Sequence, residues 1–171
     1  MSRGAARFAG VISTLLAGDP TLYRVLLVAV VLVIVIAGYL LVKRRPGSLV
    51  VLKVGAALSL GAVLAFTLSP AGGATRESCN LDLSFAYFLG IERFANVALF
   101  VPLAYLVSLA TRRPILIFAA TSLISVGIET VQVLLPGLGR ACDINDWLTN
   151  TLGAAIGALL AGGALRVSRR R

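Results

Sequence analysis

The sequence predicts an all-α integral membrane protein, a bundle of about five transmembrane helices. Composition points there first: 58% of residues are hydrophobic and mean hydropathy is +0.96, well above an ordinary soluble domain. Five apolar runs then each approach the roughly 20 residues a helix needs to cross a bilayer. Finally, most basic residues gather at the ends of these runs. A net charge of +9 would suggest a nucleic-acid partner in a soluble chain. Here it reads as an orientation signal, with the lipid bilayer as the partner and no nucleic acid. Histidine is absent, which removes the usual general base and most zinc sites.

The runs are Val25–Val42, Leu49–Ser69, Phe94–Thr111, Pro114–Leu135 and Trp147–Leu165. Helices are expected in each, because only internal hydrogen bonding satisfies the backbone in hydrocarbon. The first run is too long for a cleaved signal, and no small-residue cleavage site follows it. Lys53 lies one turn inside the second run, where its stem can snorkel outward. Pro102 interrupts the third run and is expected to kink that helix. The kink serves packing or opens space beside Asn96.

The chain divides into an anchoring N-terminal part (1–70), a polar external loop (71–93), a three-helix core (94–165) and a basic tail (166–171). Within the loop, LDLSFAYFLGI has the aromatics of an interfacial helix. Residues Phe8–Ala17 suit a surface-lying helix.

Lys43, Arg44, Arg45 and Lys53, then Arg112 and Arg113, then Arg166, Arg169, Arg170 and Arg171 fall on one side of a five-span topology. That side is read as the cytoplasm, and it holds the C-terminus. Arg3, Arg7, Arg24, Arg76, Arg93 and Arg140 fall on the other side. So do both cysteines, Cys79 and Cys142. The outer face is oxidising enough for a disulfide. Closing a loop of about 60 residues contributes about 4 kcal/mol on the chain-entropy model. Two free thiols remain the alternative.

The polar residues inside the last three runs carry the functional signal. Glu129 lies within PILIFAATSLISVGIETVQVLL. A carboxylate there costs roughly 2.5 kcal/mol or more unless it is paired, hydrated or protonated. Ser122, Ser125, Glu129 and Gln132 share one helix face. In the last run Asp143, Asp146, Asn150, Gly153 and Gly157 also recur at helical spacing. Gly153 and Gly157 form a GxxxG packing motif. The expectation is that they bring the Asn150 face against the Glu129 face.

Depths agree with such a meeting. Glu129 lies about 9 Å below the outer end of its helix, Asn150 about 6 Å below Asp146, and Asn96 about 5 Å below Arg93. Arg140, Asp143 and Asp146 stand just above them. The candidate ligand-binding set is therefore Asn96, Glu129, Gln132, Arg140, Asp143, Asp146 and Asn150, in a pocket opening at headgroup level. The bland alternative treats the amides as interhelical glue worth about 0.6 kcal/mol each. It treats Arg140 with Asp143 as an ordinary loop ion pair.

These residues resemble the VanZ-like family of bacterial membrane proteins. The resemblance rests on Asn96, Phe100 and Pro102 in NVALFVP, on Ser125, Glu129 and Gln132 in SVGIETVQ, and on Arg140 to Gly157 in RACDINDWLTNTLGAAIG. It covers about residues 80–165. It implies a multi-pass protein of the bacterial cell membrane linked to low-level resistance to teicoplanin and related glycopeptides, or a housekeeping envelope protein.

Three functions compete. The first is a pocket that engages an amphiphile, such as a lipid-linked cell-wall precursor or a lipophilic glycopeptide. Arg140 would pair with an anionic group. Asp143 and Asp146 would orient the ligand, Glu129 would exchange a hydrogen bond with it, and Phe85, Tyr87, Phe88 and Trp147 would line the lipid-side entrance. The second is catalysis on a lipid-linked substrate, with Glu129 as general acid or base and Asp143 and Asp146 on a divalent cation. No DDxxD-type run or evident nucleophile supports it, and neither a cofactor nor a dedicated metal set is expected. The third is proton-coupled transport through Glu129, although such sites usually sit at the midplane between repeats.

Overall fold

The structure, a computed structural model, describes residues 19–43, 48–70, 79–83 and 90–169. Among these residues five long helices follow one another: α1 (Pro20–Lys43), α2 (Ser48–Leu68), α3 (Ile91–Thr111), α4 (Pro114–Leu134) and α5 (Ile144–Arg169). A short 3-10 turn, Pro136–Leu138, separates the last two. All five helices are long and apolar enough to cross a membrane. The expected helices at Phe8–Ala17 and within LDLSFAYFLGI, with Phe85, Tyr87 and Phe88, lie outside the described residues or largely so.

Helix ends follow local chemistry rather than hydropathy. Asp19 accepts the amides of Thr21 and Leu22 at 2.9 and 3.2 Å, so α1 starts at Pro20, before its apolar run. Asp143 accepts the Asn145 amide at 2.9 Å and opens α5 before Trp147 in the same way. Arg112 closes α3 with a left-handed φ of 58°, its N–H reaching the Ser108 carbonyl at 2.8 Å. Pro114 then opens α4. Two residues thus reverse the chain.

Helix α3 is the centre of the bundle and touches each of the other four. Its residues from Phe100 to Leu106 are all buried, Pro102 included. On one side Tyr105, Leu106 and Leu109 pack with Leu52 and Ala56 of α2 and with Ala161 and Leu165 of α5. On another, Phe100 and Leu103 pack with Val63 of α2 and Ile128 of α4. The Tyr105 hydroxyl donates to the Val35 carbonyl of α1 at 2.8 Å. Gly38 makes that approach possible, since a Cβ there would stand 2.5 Å from the Tyr105 ring.

The glycine pair of α5 packs on α3, not on α4 as the sequence suggested. A Cβ on Gly153 would lie 2.5 Å from the Val97 carbonyl oxygen, and one on Gly157 would lie 2.5 Å from that of Val101. The small residues bring backbone to backbone at this seam, which α3 can accept because it is the helix on the bundle axis. Outward, Leu58, Ile115 and Leu159 are 70%, 85% and 76% exposed. Apolar exposure of this extent suits lipid and not water.

Candidate functional site

At the Cys79 end of the bundle a short tether fixes the local geometry. Cys79 and Cys142 are joined by a disulfide across 63 positions. Beside it, the Asn80 amide donates to the Cys142 carbonyl at 2.9 Å and the Ile144 amide to the Asn80 carbonyl at 3.0 Å. The Asn145 side-chain amide reaches the Asp82 carbonyl at 2.8 Å and the Asp143 carboxylate at 2.7 Å. These links hold the start of α5 to residues 79–83.

Glu129 of α4 meets that start directly. Its Oε2 accepts the Asp143 backbone N–H at 3.0 Å. Side-chain bonds then join the two helices further in. The Asn150 amide nitrogen donates to the Ser125 hydroxyl at 2.9 Å, and the hydroxyls of Ser122 and Thr151 pair at 2.9 Å. Helical spacing alone accounts for this, since one face of α4 meets one face of α5. Gln132 turns instead to α2 and donates to the Thr67 carbonyl at 2.9 Å. Arg140 reaches the residue just beyond α2 through Nε, which donates to the Ser69 carbonyl at 2.7 Å.

Together these groups line a recess of about 480 Å³. Asn96, Glu129, Gln132, Arg140, Asp146 and Asn150 all border it. Glu92 adds a third carboxyl group at its edge. Tyr23 and Leu27 of α1 and Phe66 and Thr67 of α2 complete the walls. The first two helices therefore shape the recess as well as anchoring the chain. Glu129, Gln132 and Asn150 are 6%, 5% and 1% exposed. The carbonyl oxygens of Gln132 and Asn150 have no hydrogen-bond partner among the described residues. An unpaired buried acceptor loses its hydration without return.

Asp143 is placed differently from the other six candidates. Its carboxylate caps α5 and meets Arg93 at 3.6 Å, so its ion pair is with Arg93 and not with Arg140. It borders a second, largely apolar hollow of about 350 Å³ together with Leu81, Val133, Leu134 and Trp147. Glu129 borders both spaces. Asp143 and Asp146, the pair expected to share a cation in the catalytic alternative, border different spaces, Asp146 the recess and Asp143 the second hollow. No cluster of three or more acidic, cysteine or histidine side chains suited to a metal occurs among the described residues.

Sequence reasoning passed over Arg93, Asn145 and the carbonyls of Thr67 and Ser69. The DIN segment at 143–145 is an Asx-type helix start, and that pattern would have located Asn145. The two carbonyls near the end of α2 leave no side-chain signal at all.

No curated protein and no solved structure matches the chain. The family model for VanZ/LLP1 matches residues 25–165. That match reaches further toward the N-terminus than the motif resemblance, and it takes in most of α1 and all of α2, including Leu27, Phe66 and Thr67 of the recess wall. This membrane chain belongs to the VanZ/LLP1 family.

Proposed function

We propose that the recess receives the headgroup of an amphiphile at the outer leaflet of the bacterial cell membrane. Through that contact the protein lowers susceptibility to glycopeptides of the teicoplanin type. One observation carries the reading: six polar side chains, five from three helices and Arg140 from the loop before α5, converge on one space walled by apolar helix surfaces. A ligand with a polar end and an apolar body fits such a boundary. The orientation assigned here puts the disulfide end outside, because a disulfide persists in an oxidising compartment. Lys43, Arg112, Arg113, Arg166 and Arg169 lie at the opposite end, as expected for a cytoplasmic face.

The test is complementation in a glycopeptide-sensitive host at matched membrane levels. Wild type should raise the tolerated teicoplanin concentration. Glu129→Gln, Asp146→Asn and Arg140→Ala should each reduce that effect, while Lys43→Ala, at the far end, should not. Equal behaviour of all four variants would remove the recess from the account.

A further inference from the structure

Charge is divided unevenly between the two ends of the bundle. All seven acidic residues of the chain fall before α1, between α2 and the first turn of α3, or between Glu129 and the first turn of α5. The opposite end, read as cytoplasmic, holds lysine and arginine with no acidic side chain to balance them. Arg112 and Arg113 form the turn from α3 to α4, and Arg166 and Arg169 lie in the last turn of α5. All four are exposed, and none meets an acid in an ion pair among the described residues.

Helix geometry gathers these arginines. A Cβ built on Gly162 would stand 3.9 Å from Pro114 Cγ, so α5 passes the start of α4 at that level. Gly162, Arg166 and Arg169 are spaced four and three and share one face, the face toward Pro114. At 1.5 Å per residue, Arg166 stands about 6 Å and Arg169 about 10 Å beyond the contact. The end of α5 therefore rises beside the turn. Arg112 and Arg113 lie at the foot of a corner whose wall carries Arg166 and Arg169.

An apolar strip leads up to this corner. The antiparallel helices α4 and α5 approach through Pro114 and Gly162 and, further in, through Ser122 and Thr151. One residue past a contact, two antiparallel helices turn to the same side of their seam. Ile115 and Leu123 hold that position on α4, and Leu152 holds it on α5. Leu159, three residues before Gly162, falls on the same side. All four are exposed. From Ile115 to Leu123 the strip runs about 12 Å, close to the depth of one leaflet, about 15 Å.

We propose that this seam seats an anionic phospholipid of the cytoplasmic leaflet, with its phosphate in the arginine corner and its chains along the apolar strip. Guanidinium groups pair with phosphate through charge-assisted, often bidentate bonds. A headgroup with no ammonium of its own leaves the phosphate charge whole, so phosphatidylglycerol fits better than a zwitterionic lipid. An orientation signal needs only the number of basic residues on one side. The corner and the strip add a place at which one lipid is held. The seam lies at the other end of the bundle from the recess and does not depend on what the recess binds.

The full chain would be purified in mild detergent and exposed to equal amounts of phosphatidylglycerol, phosphatidylethanolamine and phosphatidylcholine with identical acyl chains. Native mass spectrometry would read the retained lipid. Phosphatidylglycerol should be enriched at least about fivefold over either of the others, the effect of one arginine beside an anionic headgroup. Equal retention of the three overturns the proposal, and this wild-type comparison holds even if a variant fails to fold. The double variant Arg166→Gln, Arg169→Gln should lose the preference, and so should Arg112→Gln, Arg113→Gln. A preference that survives in both puts the lipid elsewhere and overturns the assignment. Lys43→Gln with Lys53→Gln removes two charges from the same end, on α1 and α2, and should leave the preference intact. If all three double variants fall alike, the attraction is diffuse and the seam is not a site. Excess soluble glycerol phosphate should leave the lipid in place, and its displacement of phosphatidylglycerol would overturn the role of the apolar strip.

Discussion

Replacing the α5 glycines by alanine should push α5 off α3. At Gly157 the added Cβ would meet the Val101 carbonyl oxygen at 2.5 Å and the Tyr105 amide nitrogen at 2.9 Å. At Gly153 it would meet the Val97 carbonyl oxygen at 2.5 Å and the Phe100 Cβ at 3.0 Å. A carbon settles about 3.3 Å or more from a carbonyl oxygen, so the helices must part by about 0.8 Å. The obstacles are mostly backbone, and no rotamer change relieves them. Overpacking costs about 1–3 kcal/mol, and the better helix propensity of alanine offsets up to about 1 kcal/mol of it. Each single substitution should therefore destabilise by about 1–2 kcal/mol. The double variant should lose less than the sum, because one displacement serves both sites. Gly61 and Gly127 provide the control, since an added Cβ at either meets nothing within 4 Å. Unfolding in mixed micelles with increasing dodecyl sulfate would give the ranking. If Gly153→Ala and Gly157→Ala prove as stable as Gly61→Ala and Gly127→Ala, the close seam does not exist.

Tyr105→Phe deletes the bond to the Val35 carbonyl and should cost about 1 kcal/mol in the same assay; an unchanged midpoint would contradict the α1–α3 contact. Reductant should lower the melting temperature of the wild type, reflecting up to about 4 kcal/mol from the closed loop. It should leave a Cys79→Ser, Cys142→Ser chain unmoved, and a reductant-insensitive wild type would count against the bond. Arg93→Gln removes the partner of Asp143, with 14% and 23% of the two side chains exposed, and should destabilise by about 1–3 kcal/mol. Arg140→Gln loses a single bond at the edge of the recess and should stay within about 1 kcal/mol while reducing glycopeptide tolerance. The reverse order would exchange the structural and binding roles assigned to these arginines.

The fold was legible because a bilayer demands long uninterrupted helices, and hydropathy finds them. Side-chain periodicity likewise brought Glu129, Asn150 and Ser125 to adjoining faces. Helix partners were harder. The Gly153–Gly157 pattern declares a close contact but not with which helix, and α3 could not be singled out as the central helix from its own composition. Asp143 misled for a related reason. Its spacing from Asp146 puts both on one side of a helix, but a residue at a helix start can turn its carboxylate back onto the amides. That use, and the ion pair with Arg93, depend on how residues 79–83 and α5 come together in space. The recess walls from α1 and α2 were invisible, since Tyr23, Leu27 and Phe66 are ordinary apolar or interfacial residues until a cavity forms beside them.

The burial of α3 on every side constrains how this protein is made. The chain reaches the insertion machinery in order, so α3 enters the bilayer with α1 and α2 beside it while α4 and α5 are still to come. Its Asn96, and the Val97 and Val101 backbone that will receive the glycines, must then face lipid or the machinery itself. Helix α5 is the least apolar of the five and arrives last, so docking onto that waiting groove helps draw it into the membrane. Biogenesis and the finished recess thus depend on the same glycine seam, and a defect there should lower the yield of inserted protein before it alters any bound ligand.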